Sequence, residues 1–314
     1  MAFLTRLKES CGGPRACSEL CNSKNSTREP TVRIVAAIKT AIICLGNLPG
    51  LGMFQHLFVA ALAFSSDEPA NRVVVVTGAT GRTGALLYKA LLHQPHTTTR
   101  AIVTSVEKAR AVLNCSACDE SEGIFVGNVT QIGSLTRPMH GATHVAIAVG
   151  ASPSISAAGQ RAVEWEGVKN TVAALASQPR VKARQLRVVL CSSMGTTEPS
   201  PDARSGGSIL FWKLQAEAFL MSSGLEYAIV KPCGLLSTAA AGQNTLLVGH
   251  DDTLLSTAPP IVQRADVAAV MRQALVSDTT NLRFDLCSQR GEPTPDLEGI
   301  LQEARFSWCQ HRAC

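Results

Sequence analysis

The stretch Val73-Val-Val-Val76, followed by Thr77-Gly78-Ala79-Thr80-Gly81-Arg82-Thr83-Gly84, decides the fold. Four β-branched residues in a row read as a strand buried on both faces. A glycine turn follows at once, and Ala85-Leu-Leu-Tyr-Lys-Ala-Leu-Leu92 then reads as a helix. A strand, a glycine turn and a helix in immediate succession form the setting in which a dinucleotide diphosphate is held. Gly78 permits the tight turn, Gly81 lets the backbone approach a pyrophosphate, and Gly84 lets the helix pack closely on the strand. The unpaired N–H groups of the helix start, with the helix dipole behind them, then face the anion. The spacing is G-x-x-G-x-x-G rather than G-x-G-x-x-G, so the flanking strand and helix carry the reading more than the glycines do.

Working outward, strand and helix patterns alternate to about residue 306, which predicts an α/β domain built on a doubly wound parallel sheet. Arg100–Thr104 reads as the second strand and Val106–Leu113 as its helix. Gly123–Val126 and His144–Val149 are the next strands, followed by a long helix from about Ala157 to Ser177. Leu186–Cys191 is a strand, Ile209–Ser222 a helix and Tyr227–Lys231 a strand. Asp266–Val276 is a further helix and Arg283–Leu286 a final strand. Gly234–Gln263 reads as irregular, and its position after the sixth strand makes it a wall for a substrate cleft.

The 314 residues divide on this reading into a leader over 1–70, the α/β domain over 71–306 and a tail over 307–314. A formal charge of +5 without a dense Lys/Arg block excludes a nucleic-acid binder of the usual kind. Three readings of the leader stay open. It is an organelle-targeting segment, with Ala61-Leu62-Ala63 as a small-residue processing site, or a membrane anchor over Thr40–Phe64, or a helical hairpin turning at Leu48-Pro-Gly-Leu51. Targeting ranks first, although Glu9, Glu19 and Glu29 are more acid than a transit peptide usually carries. The eleven cysteines read as small buried hydrophobes in a reducing compartment. Cys115-Ser-Ala-Cys118 has C-x-x-C spacing, but no second such pair or His pair completes a zinc set, so no metal or redox role is assigned to it.

An NAD site places an acid about 20 residues past the glycine turn, at the end of the second strand, to grip the ribose hydroxyls. Thr104-Ser105 stands there instead. No carboxylate is expected to repel a 2′-phosphate, while Lys108, Arg110 or Arg82 supply charge, so NADP is favoured and NAD is the alternative.

These residues resemble a known family. Thr77–Gly84, Val163-Glu-Trp-Glu-Gly-Val-Lys-Asn170, Ser192-Ser-Met-Gly195, Ile209–Glu217, Leu247-Val-Gly-His-Asp-Asp252 and Arg264-Ala-Asp-Val-Ala268 together are similar to the atypical short-chain dehydrogenase/reductases. The likeness is to the NmrA-like branch, and within it to plant NAD(P)-binding Rossmann proteins, some of them in plastids. It covers about three quarters of the chain and leaves the leader out. It implies a Rossmann fold, a plastid location with a cytoplasmic or membrane-associated one as the alternative, and a cofactor site. That site takes in Thr77, Gly78, Thr80, Gly81, Arg82, Thr83, Gly84, Thr104, Ser105, Lys108, Asn128, Val149, Lys213 and Pro232. Departures accompany the likeness. Asn128 stands where the family usually has an acid near the adenine, and its amide is expected to accept a hydrogen bond from the adenine amino group. Thr104 and Lys231 stand where Arg is common.

Short-chain dehydrogenases typically pair a Ser after the fifth strand with Tyr-x-x-x-Lys on the next helix, the Lys lowering the Tyr pKa from the same helix face. Ser192 and Ser193 occupy the Ser region and Lys213 fits the Lys, but Ile209 replaces the Tyr and transfers no proton. Tyr227-Ala-Ile-Val-Lys231 matches the pattern literally, yet in a strand its two side chains sit about 13 Å apart. The sequence therefore supports two readings. One is an NADP(H)-dependent reductase of a small carbonyl, quinone or conjugated substrate, in which Ser192, Ser193 and Lys213 orient the reactants and water delivers the proton. The other is an NADP(H)-binding regulatory or scaffold protein without turnover. Residues 40–64 additionally predict a membrane contact.

Overall fold

The computed structural model describes residues 71–178, 186–197, 207–256 and 260–306, the side chains of 207 and 208 excepted. The readings of the leader, its membrane contact and the tail lie outside the described residues. The chain divides in space between Glu68 and Pro69, and every residue described belongs to the second unit. Among the described residues, no helix is long and apolar enough to cross a membrane.

The strands are β1 (Arg72–Thr77), β2 (Thr97–Val103), β3 (Ile124–Val126), β4 (His144–Ile147), β5 (Arg187–Cys191), β6 (Glu226–Pro232), β7 (Gly234–Leu236), β8 (Thr245–Gly249), β9 (Ile261–Gln263) and β10 (Leu282–Gln289). The sheet runs β3-β2-β1-β4-β5-β6-β10-β9-β7, with β8 paired to β10 off this path. The core of it is parallel: Val75 faces Arg100 of β2 on one side and Val145 of β4 on the other. This is a doubly wound Rossmann sheet, and the strand order reverses between β1 and β4, where a ligand crevice opens at the carboxyl ends.

The helices are α1 (Arg82–Leu91), α2 (Val106–Leu113), α3 (Thr136–Met139), α4 (Ala157–Arg161), α5 (Gly167–Ala176), α6 (Gly207–Ser222), α7 (Arg264–Val276) and α8 (Leu297–Glu303). They cover both faces of the sheet, and the period-two alternation of β1 assigns its valines between them. Val74 and Val76 enter the apolar cluster that holds Leu87 and Leu91 of α1 and Met271 of α7. Val75 enters the opposite cluster, with Val145, Leu175 and Leu220. All three valines are fully buried, each worth about 1.5–3 kcal/mol of apolar burial.

Four expectations need correction. Helix α1 begins at Arg82, not Ala85, so Arg82, Thr83 and Gly84 form its first turn. The long helix after β4 is interrupted by a π turn over Ala162–Glu166, between α4 and α5. Gly234–Gln263 is not irregular. It holds β7, β8, a 3-10 turn (Thr253–Ser256) and β9. Flanking Gly and Thr mask the apolar run Leu246-Leu-Val248, whose partners are Ser288, Cys287 and Leu286 across an antiparallel ladder. Finally, the cysteines are not all free: Cys115 is joined to Cys118 and Cys233 to Cys287, while Cys191 is buried and free. Spacing along a sequence does not reveal that β6 and β10 run side by side, which brings Cys233 and Cys287 together.

Candidate functional site

The crevice begins where β1 ends. Gly78 takes φ +70°, and a Cβ there would lie 2.5 Å from the Ala148 carbonyl oxygen that follows β4. A Cβ on Gly84 would collide with the Gly78 carbonyl oxygen, so the first turn of α1 lies directly on the glycine turn. The Gly81 N–H donates to that same Gly78 oxygen at 2.8 Å, and Gly81 N-caps α1 without any side-chain cap. A helix start lined by backbone alone, with no Asp or Ser capping its N–H groups, is a site for an anion. Arg82 is exposed at this start and Thr83 is buried, while Thr80 is half-buried on the turn. Thr77 ends β1 fully buried, and its hydroxyl oxygen finds no partner among the described residues. Arg264, at the head of α7, is close enough to Arg82 for their charges to repel. Burial first, and then Arg82, holds its pKa below the usual arginine value. Its guanidinium is fixed by the Leu235 carbonyl and the Ser237 hydroxyl, each at 2.9 Å. Sequence reasoning did not assign Arg264 to the site, though it quoted the segment that carries it.

Beside this turn lies a narrow cleft lined by Val149, Glu164, Cys191, Ser192 and Lys213. Lys213 Nζ sits 2.8 Å from Glu164 Oε2. Glu164 Oε1 accepts the Ala151 N–H at 2.7 Å, which ties the π turn to the loop after β4. A π turn inserts one extra residue per turn and re-aims a side chain, here burying a carboxylate at the cleft. Burial alone would lower the Lys213 ammonium, but the Glu164 charge and hydrogen bond outweigh it and hold the lysine above its ordinary pKa. Burial pushes the neighbouring Cys191 thiol up, so it is no nucleophile at neutral pH. Glu164 was missed as a site residue. Only the π turn, invisible in a helical pattern, turns it inward.

The crevice, the uncapped helix start and the backbone cradle are those of a dinucleotide site, and the model of the NAD(P)H-binding family matches residues 78–278. The chain belongs to the NAD(P)H-binding family. It is 30% identical over 276 residues to an uncharacterized chloroplastic protein of Arabidopsis thaliana, covering 80% of this chain and 81% of the relative. It is 29% identical over 282 residues to sanguinarine reductase of Eschscholzia californica, covering 76% and 98%. Among solved structures, a putative NAD-dependent epimerase/dehydratase from Bacillus halodurans aligns with a TM-score of 0.57 at 20% identity, covering 74% and 99%. A short-chain dehydrogenase/reductase from Veillonella parvula in complex with NADP aligns at 0.51 and 15% identity, covering 71% and 97%. These two likenesses are of fold.

At the residues expected to meet the adenosine end, the structure departs from the sequence expectation in two places. Ser105 is the N-cap of α2: its hydroxyl oxygen accepts the Lys108 N–H at 3.1 Å and its proton goes to Glu107 Oε2 at 2.7 Å. An acid therefore does stand beside the end of β2, two residues on, and the Ser105 hydrogen bond holds its pKa below the ordinary value. Thr104 and Lys108 are exposed next to it. Asn128 Oδ1 accepts both the N–H and the hydroxyl of Thr130, at 3.0 and 2.9 Å. Both lone pairs are thereby used, and the amide has its NH2 rather than its oxygen to offer an adenine.

The serines are likewise committed. Ser192 lines the cleft, but its hydroxyl donates to Glu217 Oε1 behind it. Glu217 Oε2 accepts from Arg283 Nε at 2.9 Å and the Thr196 hydroxyl at 3.3 Å. The Ser193 hydroxyl donates to the Met194 carbonyl at 2.9 Å. Pro232 is buried at the end of β6, where its carbonyl accepts the Met194 N–H at 3.1 Å. Tyr227 and Lys231 lie on β6 as expected of a strand, and Lys231 is fully buried between Asp252 at 2.7 Å and Asp285 at 3.2 Å. That lysine is a structural cation, not a partner for Tyr227. Burial keeps Asp285 above the usual carboxylate pKa even against Lys231.

Proposed function

We propose that the protein is an NADP(H)-dependent reductase of a small carbonyl, quinone or conjugated substrate, working in plastids. The observation that carries this reading is the backbone cradle at the start of α1 beside the Lys213–Glu164 ion pair, whose carboxylate is buried. The turn fits the cofactor's diphosphate: only glycine at 78 and 84 lets the turn pack against the backbone after β4 and the first turn of α1, which leaves the uncapped helix start facing the anion, and Arg82 and Arg264 supply positive charge. When bound there, the cofactor supplies a hydride. Lys213, held charged by Glu164, is the donor available to the nicotinamide ribose and to a developing oxyanion on the substrate. With Ile209 where a tyrosine would act, the proton comes from water. The likeness to sanguinarine reductase supports a reductase, and the chloroplastic relative supports the plastid. NADP rests on Lys108 in the first turn of α2, with Glu107 beside it opposing it.

One set of observations favours the second reading, a binding protein without turnover. The single proton of the Ser192 hydroxyl is committed to buried Glu217, and Lys213 is ion-paired with buried Glu164. The deciding experiment titrates the full chain with NADPH and NADH by nicotinamide fluorescence, then follows absorbance at 340 nm with menadione and sanguinarine as acceptors. Tight NADPH binding with acceptor-dependent oxidation supports the reductase. Binding without oxidation of either acceptor supports the binding protein, and no binding sinks both.

A further inference from the structure

The helix α2 has one end at the proposed cofactor site and the other at a disulfide. Its first residues, from the Ser105 cap through Lys108, stand at the end of β2, where the proposed site would hold the adenosine ribose. Its last turn runs into Asn114 in the left-handed region (φ +61°), and the chain then closes through Cys115–Cys118. Asn114 is the ordinary left-handed cap of the helix, whereas Cys118, left-handed at φ +55°, holds a conformation that its side chain resists. The Glu122 carboxylate accepts the N–H groups of Ser116 at 3.1 Å and Cys118 at 2.7 Å, which folds the loop around the bond. The same loop touches the other helix that starts at the cofactor. The Tyr88 hydroxyl of α1 donates to the Glu122 carbonyl at 3.4 Å. Cys118 is 2% exposed, whereas Cys115 is only partly covered, so the pair presents one reachable sulfur and one shielded one.

We propose that Cys115 and Cys118 are a reversible dithiol–disulfide site whose state sets how firmly α2 holds the adenosine end of the cofactor. The exchange partner is a dithiol reductant. One of its thiolates attacks Cys115 Sγ, the Cys115–Cys118 bond breaks, and Cys118 leaves as a thiolate and takes up a proton. The partner's second thiol then attacks its own sulfur in the mixed disulfide and releases Cys115, so two electrons and two protons pass to this chain and the partner becomes a disulfide. Opening the bond releases Cys118 from its left-handed conformation and loosens the loop at the C-terminal end of an eight-residue helix that is too short to hold itself. The inference rests on the cofactor site proposed above.

The test uses the full chain equilibrated in oxidised and reduced dithiothreitol at graded ratios, quenched with N-ethylmaleimide and mapped by mass spectrometry. NADPH affinity is measured by fluorescence at both extremes, with zinc content determined on the same samples. The expected result is a two-electron transition at Cys115 and Cys118, with NADPH held several-fold more weakly by the dithiol form. A Cys115→Ser/Cys118→Ser double variant, shown folded by circular dichroism, should bind like the dithiol form under either condition. Equal affinity at both extremes overturns this inference and leaves the cofactor reading standing. No binding at either extreme overturns both. Free thiols that persist in the oxidant also overturn it, as does stoichiometric zinc on Cys115, Cys118 and Glu122, whose donor atoms lie within 4.8 Å of one another.

Discussion

Lys213 Nζ lies 2.8 Å from Glu164 Oε2, joining α6 to the π turn across the floor of the cleft. Removing one partner leaves the other charge buried alone. Glu164→Gln is therefore expected to destabilise the fold by about 3 kcal/mol and to lower the Lys213 pKa. The sign follows from the raised folded-state pKa: the pair's stabilisation is present at neutral pH and is lost as pH rises beyond the ordinary lysine value. Urea unfolding between pH 8 and 11 should show an alkaline loss of stability in the parent that is smaller in Glu164→Gln. Equal slopes would mean that the pair is not coupled.

Ser192 offers a separate check, because its hydroxyl serves Glu217 and not the cleft. Ser192→Ala deletes a donor to a buried carboxylate that Arg283 and Thr196 still hold. Stability should fall by about 1–3 kcal/mol, read by urea unfolding, while NADPH affinity stays within a factor of two or so of the parent. A large loss of affinity with unchanged stability would place the hydroxyl on the cofactor instead.

At the opposite, amino-terminal end of the strands, His144 is pushed down to about 3, by burial first and then by the charges of Arg187 and Arg72. Its folded pKa lies below the unfolded one. The stabilisation is therefore complete above pH 6.5 and is lost as pH falls toward 3, at up to ~1.4 kcal/mol per pH unit. His144→Asn removes the proton site. Stability measured from pH 7 to 4 should fall less steeply in the variant than in the parent.

The parts of this molecule that were legible from sequence are those that local pattern dictates. Val73–Val76 could only be a buried strand, and the glycines after it could only serve a close turn, so the sheet and its crevice followed. Three features escaped because they depend on contacts distant in sequence. Glu164 sits in a helical pattern and reaches the cleft only because the π turn rotates it. Thr245–Gly249 looked like loop until β10 supplied its partner strand. Cys233 and Cys287 meet only through the pairing of β6 with β10. Glu107 was in plain view, but it lies two residues beyond Thr104-Ser105, where the acid was sought. The Ser105 hydrogen bond is what fixes its carboxylate at the helix start.

That carboxylate gives the sharpest test of cofactor choice. Glu107 is exposed and held ionised by Ser105, beside the place where a 2′-phosphate would sit against Lys108. A like charge there weakens NADPH and leaves NADH, which has no 2′-phosphate, nearly untouched. Glu107→Gln should tighten NADPH about threefold at low salt while changing NADH little, and the gain should shrink as ionic strength rises, since the Debye length falls to about 8 Å at 0.15 M. Equal changes for the two nucleotides would show that the ribose end lies elsewhere than at the start of α2. A loss of affinity for NADH alone would instead make Glu107 the acid that grips the ribose hydroxyls, and would reverse the preference proposed for this chain.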